Sequence, residues 1–187
     1  MKIGYMGIPF SNSEEAAALF ARRNRWNDVV LVPLMCAASV VKELENGNID
    51  YGVVATCNIV AGPVIETADS LRGKDDIEMH QTIDVPIHHC LFVKEEGCSV
   101  ETVASHIQAL MQTDGNIGKM FPDAKRTEVE DTAYAAEMLA DGSLPDNAGV
   151  VCRKDAGEHY GLYMLAENIE DDRDNMTSFS LLRLISR

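Results

Sequence analysis

Short apolar runs alternate with stretches whose apolar residues return every three or four positions, the signatures of buried strands and amphipathic helices. Lys2 to Met6 reads as a strand closed by Gly7. Ser11-Asn12-Ser13-Glu14 has the S-x-x-E form of a capping box, in which Ser11 accepts from the third helical N–H and Glu14 reaches back to the cap. Ala16, Ala17, Leu19 and Phe20 continue that helix, and Arg22-Arg23 suits the negative end of its dipole. Val29 to Val32 and Tyr51 to Ala55 read as strands, Ser39 to Glu45 as a helix stopped by Gly47, and Ala61 to Leu71 as a helix starting near Gly62-Pro63. Ile77 to Ile83 opens the middle of the chain and leads to a strand over Ile87 to Val93. A short helix near Val100 and a short strand near Ala104 precede a helix from about Ile107 to Met120. Helical spacing returns over Thr132 to Leu139, ending at Asp141-Gly142, and again over Lys154 to His159. Ala148 to Cys152, Tyr163 to Ala166 and Phe179 to Ile185 read as strands. Such alternation predicts an α/β protein with largely parallel sheets. The acidic run Glu167 to Asp174 reads as a solvated hinge, because blocks of like charge usually stay in water.

Length and charge narrow the function classes. The 187 residues fit one compact domain or two small lobes. Thirty acidic against 16 basic residues give a net charge of −14, which repels phosphate backbones and anionic lipid. Nucleic acid and membrane are therefore excluded as partners. Cys36, Cys57, Cys90, Cys98 and Cys152 are odd in number, scattered and without a C-x-x-C, so free thiols in a reducing, cytoplasmic setting are expected. Gly7 and Pro9 interrupt the N-terminus before a secretory apolar segment can form, and no apolar run approaches the roughly 18 residues of a membrane span. His88-His89-Cys90 invites a metal reading, but adjacent strand residues point to opposite faces and cannot chelate one ion together; no metal is expected. His106 suits a strand end or a cleft equally.

Seven segments then line up in one order. Gly7 to Ala17 keeps the glycine, serines and paired alanines of a GPxGTFSxxAA opening, and Asp50-Tyr51-Gly52-Val53-Val54 with Asn58 follows a DYAVVPIEN pattern. His89-Cys90-Leu91 matches an HCLL strand, and Ser105-His106-Ile107-Gln108-Ala109-Leu110 matches SHPQAL without its proline. Asp131-Thr132-Ala133, Ala156 with Tyr160-Gly161-Leu162, and Asn175-Met176-Thr177-Ser178-Phe179 complete the series, the last in the place of an N-x-T-R-F motif. Over essentially its full length the chain resembles the catalytic domain of the prephenate dehydratase family.

The resemblance implies a two-lobed α/β fold of the type 2 periplasmic-binding-protein kind with a ligand cleft between the lobes. The first lobe would be residues 1 to about 84 plus 168–187, and the second about 85–167. It implies a homodimer or homotetramer, no cofactor, and a small anionic substrate such as prephenate. The family's ACT regulatory domain would follow the TRF motif, and is expected to be absent here.

The reaction expels carbon dioxide and hydroxide while a ring becomes aromatic. Thr177 stands where the family has its catalytic threonine, and a positioned hydroxyl can assist a departing hydroxyl. Ser11, Ser13, Asn58, Thr132, Ser105 and Phe179 are the matching candidates for substrate binding. Ser11 and Ser13 open one helix and Thr132 another, where backbone N–H groups can hold carboxylates. Each has an ordinary structural use as well: the serines and Thr132 as caps, Asn58 in a turn.

Departures from the family pattern cluster at these motifs. The first-loop Pro and Gly are Ile8 and Phe10, the PIEN glutamate is Cys57, the hydroxyl residues after its asparagine are Ile59 and Val60, and the TRF arginine is Ser178. Loss of a charge-assisted arginine contact to the ligand would cost about 1.5–3 kcal/mol. A non-catalytic small-molecule-binding homologue and a non-aromatising prephenate decarboxylase therefore stand beside the dehydratase as readings.

Overall fold

The structure, a computed structural model, describes residues 1–185. Residues 186 and 187, part of the expected first-lobe tail, lie outside the described residues. The chain divides into two compact units. Residues Met1–Pro86 and the strand from Met176 onward form the first, and Ile87–Asn175 the second.

In the first unit β1 (Lys2–Tyr5), α1 (Asn12–Arg23), β2 (Val30–Pro33), α2 (Ala37–Glu45) and β3 (Tyr51–Asn58) follow one another in strand–helix alternation. β4 (Gly62–Pro63), α3 (Ile65–Ser70), β5 (Ile77–Pro86) and, after the second unit, β11 (Met176–Leu184) complete it. The sheet order is β2-β1-β3-β11-β5, with β4 on β3. β1 pairs in parallel with β2 and β3, whereas β11 is antiparallel to both β3 and β5. Val40, Val41 and Leu44 of α2 bury their apolar stripe with Val54 and Leu182. Glycine at position 52 permits this close approach, since a Cβ there would lie 2.5 Å from Val40.

The second unit runs β6 (Cys90–Val93), β7 (Thr102–Ser105), α4 (Ile107–Met120), β8 (Lys125–Glu128), α5 (Thr132–Asp141), β9 (Ala148–Cys152), α6 (Lys154–His159) and β10 (Tyr163–Ala166). Its sheet order is β10-β6-β9-β7-β8. β7 is parallel to β8 and β9, and β6 is antiparallel to β9 and β10. Leu91, Val103, Leu110, Ile117 and Val151 form one of its cores.

The α/β class holds, but both sheets are mixed rather than largely parallel. Gly62-Pro63 opens no helix: the pair closes a hairpin on β3, with Gly62 at φ 84°, and α3 begins only at Ile65. The short helix expected near Val100 does not form, and the chain passes to β7 with Glu101 N donating to Asn147 O at 3.0 Å. β8, of sequence KRTE, was hidden by its polarity and lies at the sheet edge.

The acidic run is not simply a solvated hinge. Glu170 and Asn175 are buried. The Asp171 carboxylate takes the N–H groups of Gly115 and Asn116 at 2.8 and 2.7 Å while its own N–H donates to Gln112 O at 2.8 Å. One acidic residue thus clasps a full turn of α4.

Candidate active site

In each unit the candidate residues gather at the carboxyl ends of the parallel strands, where open α/β sheets place their ligand sites. Ser11 follows β1, Asn58 ends β3, and Thr177 begins β11 directly opposite Asn58. In the second unit Ser105 ends β7 and Thr132 opens α5 after β8.

Asn58 and Thr177 form the best-defined pair. Asn58 Nδ2 donates to Thr177 Oγ1 at 2.9 Å and to Met176 O at 3.0 Å. Its Oδ1 accepts from Val60 N and Ala61 N, both at 2.9 Å, so the amide also shapes the hairpin. Both reasons for an asparagine here, turn and site, are satisfied by one side chain. Because Thr177 Oγ1 receives a hydrogen bond, its own proton is free to be donated elsewhere. Phe179, two residues on and on the same face by strand alternation, is 2% exposed and serves the core.

Ser178 lies on the other face. Its Oγ donates to Asp84 Oδ1 at 2.6 Å across β5, and Asp84 is its register partner. A side chain at 178 therefore points away from the Thr177 hydroxyl. The family arginine at this position would face Asp84.

Ser11 caps α1, accepting from Glu14 N at 3.3 Å. The capping box is displaced by one residue: Glu14 Oε2 accepts from Phe10 N at 2.6 Å instead of from the cap itself, and its Oε1 accepts from Tyr5 Oη at 3.1 Å. That bond helps hold Phe10 at φ 67°, a region that favours glycine. Ser13 is buried in the first turn.

The cap of α5 is Asp131, which accepts from Ala133 N at 2.7 Å; Thr132 is the first helical residue rather than the cap. Burial pushes the Asp131 carboxyl above its usual range, opposed by the N–H groups of Ala133 and Tyr134 and by His106. Ser105 is fully buried and its hydroxyl donates to Val151 O at 2.6 Å, binding β7 to β9. His106 caps α4 through Nδ1, accepting from Gln108 N at 3.3 Å.

The sequence reading missed Gln112. Its Oε1 joins His89 Nε2 at 2.7 Å and Asn175 Nδ2 at 3.0 Å, and all three residues are buried. A glutamine three residues after Ala109, at helical spacing with the apolar stripe of α4, was the available signal. His88 and His89 do diverge: the His88 side chain is 57% exposed, whereas His89 is buried. Among the described residues no group of three or more His, Cys, Asp or Glu is placed to hold a metal ion. Nor is any described helix long and apolar enough to cross a membrane.

The prephenate dehydratase family model matches residues 3–185. Arogenate dehydratase 5 of Arabidopsis thaliana is 31% identical over 185 residues, covering 97% of this chain and 42% of that protein. Prephenate dehydratase of Methanocaldococcus jannaschii is 36% identical over 143 residues, covering 76% of this chain and 50% of its own length. The chain thus spans half or less of these relatives. The solved prephenate dehydratase of Arthrobacter aurescens, in complex with L-Phe, is 22% identical and shares the fold, with a TM-score of 0.86 over 100% of this chain and 61% of that one. Motif order, topology and the matched span agree, and the chain belongs to the prephenate dehydratase family.

Proposed function

We propose that the protein catalyses the decarboxylating dehydration of prephenate to phenylpyruvate, with Thr177 as the hydroxyl that assists the leaving group. The observation carrying this reading is the bond from Asn58 Nδ2 to Thr177 Oγ1, which fixes the threonine and leaves its proton to donate. In the reaction the C–C bond to the ring carboxylate breaks and releases carbon dioxide. Its electron pair enters the ring, and the C–O bond to the ring hydroxyl breaks. Thr177 stabilises the oxygen as charge develops on it, and that oxygen leaves as water after gaining a proton.

At the start of α1, beside Ser11 and Ser13, backbone N–H groups are suited to a substrate carboxylate. At α5 the buried Asp131 already takes the Ala133 N–H, so an anion beside Thr132 must compete with it. Asn58 acts in this reading as a positioning residue, and Phe179 by anchoring β11. The missing TRF arginine does not weigh against activity, because Ser178 points away from Thr177.

Incubating the purified protein with prephenate and following absorbance and product mass tests the proposal. Phenylpyruvate formation supports it. A dihydro product that keeps the ring hydroxyl would identify a non-aromatising decarboxylase, and unchanged prephenate with Thr177→Ala equally inert would identify a binding protein.

A further inference from the structure

Where the second unit hands the chain back to β11, a chain of buried polar groups converges on the joint. Asn175 is the last residue of that unit and lies two positions before Thr177. Its main-chain oxygen accepts from Ile87 N, the unit's first residue, at 2.9 Å. Its side-chain amide donates to Gln112 Oε1 on α4, which also receives His89 Nε2. The next residue, Met176, gives its carbonyl to Asn58 Nδ2. The peptide leading to Thr177 is therefore gripped on one side by the His89–Gln112–Asn175 relay and on the other by Asn58.

An amide oxygen can only accept, so the proton on His89 must reside on Nε2. Its Nδ1 is then a bare acceptor, and among the described residues it is a buried side-chain polar atom without a partner. Such a group calls for a donor such as an internal water. Protonation would turn Nδ1 into a buried donor instead. The groups facing the ring are the Gln112 amide from α4, the Glu170 carboxylate from the segment before β11, and His88 from its own segment. Glu170 Oε2 is already engaged by His89 N at 2.9 Å, and Oε1 by His88 Nδ1 at 2.9 Å.

We infer that His89 is a positioning residue for Thr177, acting through Gln112 and Asn175. This rests on the proposed dehydratase reading for its kinetic consequence but not for the relay itself. Burial, the largest influence on the ring, holds its pKa below 6.5, against the raising effects of Gln112 and Glu170, so the neutral form prevails at neutral pH.

Two variants and two readouts test it. His89→Leu should lower kcat for prephenate about tenfold, the effect of one broken buried hydrogen bond, with KM within a factor of about two. His89→Gln, which keeps an N–H donor, should recover most of that loss. Hydrogen exchange read by mass spectrometry should show faster exchange at Met176 to Ser178 in His89→Leu. If prephenate is not turned over at all, the function proposal fails and the exchange readout alone decides this one. Unchanged kcat in His89→Leu, or unchanged exchange at Met176 to Ser178, would overturn it. So would a failure of His89→Gln to recover any of the loss.

Discussion

Cys57 of β3 and Ser178 of β11 are direct register partners across an antiparallel ladder. These are the two positions at which the resemblance places a glutamate and an arginine. A glutamate and an arginine in directly opposed positions would be placed to form a cross-strand ion pair, so the two departures fall on one pairing. That pairing lies on the sheet face away from the Asn58–Thr177 bond. Read along the chain, the losses look like two injuries to a binding site. Across the sheet, they are one missing strap.

The first expectation follows directly. Cys57→Glu combined with Ser178→Arg should raise stability above the sum of the single variants by about 0.2–1 kcal/mol, the usual worth of an exposed cross-strand pair. KM for prephenate should stay within a factor of about two. A double-mutant cycle by denaturant unfolding, with parallel kinetics, measures both. A large fall in KM in Ser178→Arg would show that position 178 reaches the ligand after all.

Thr177→Ala should reduce prephenate turnover at least about a hundredfold, in the range of lost acid assistance. Its unfolding free energy should fall by only about 1 kcal/mol, since Asn58 Nδ2 keeps Met176 O as an acceptor. Asn58→Leu should behave differently. It leaves the N–H groups of Val60 and Ala61 without their acceptor and should lose about 2–4 kcal/mol of stability along with activity. Paired unfolding and rate measurements separate the two residues.

Gly115→Ala should destabilise the protein, although alanine normally favours a helix interior by roughly 0.5–1 kcal/mol. An added Cβ would lie 2.9 Å from Asp171 Oδ1 and push out the carboxylate that clasps α4. Thermal unfolding of Gly115→Ala beside Gly118→Ala is the comparison to make, because at Gly118 the nearest atom, Arg126 Nη2, is 4.0 Å away. Equal stability gains in both would dispose of the clasp.

Stability should decline in two steps as pH falls. His89 is held below its ordinary 6.5 by burial, so between 6.5 and its lower folded value the unfolded chain binds a proton that the folded one refuses. Burial alone would raise the Glu170 carboxyl, but the His88 ring and the His89 N–H outweigh it and leave it below 4.5. Its contribution is therefore complete above 4.5 and disappears as pH drops through the folded value. Urea unfolding from pH 7 to pH 4 should show a first decline below about 6.5 that is missing in His89→Gln.

Local patterns carried most of the fold. α4 and α5 were legible from apolar spacing, and β3 and β9 from β-branched runs. Strand direction was not, because whether β11 enters its sheet parallel or antiparallel depends on a partner more than a hundred residues away. Gly62-Pro63 misled because proline also suits the first turn of a helix, while the hairpin needed the positive φ of Gly62. Thr132 reads as a cap candidate, but Asp131, one residue earlier, has the carboxylate that reaches Ala133 N. The acidic run looked solvated because charge density says nothing of the particular N–H groups and rings that Glu170 and Asp171 would meet. Among the candidates, Asn58 and Thr177 converge, whereas Ser105 is tied into the sheet by its bond to Val151.

β11 sits between β3 and β5 in the first sheet, yet the whole of the second unit separates it from both in sequence. During synthesis β3 and β5 must wait, each with an open edge, while residues 87–175 are made and can collapse on their own. Only the arrival of β11 fills the gap, and the same strand delivers Thr177 to Asn58. Closing the sheet and joining Thr177 to Asn58 are one step, so a chain interrupted before that strand is left with two exposed edges as well as an incomplete candidate site.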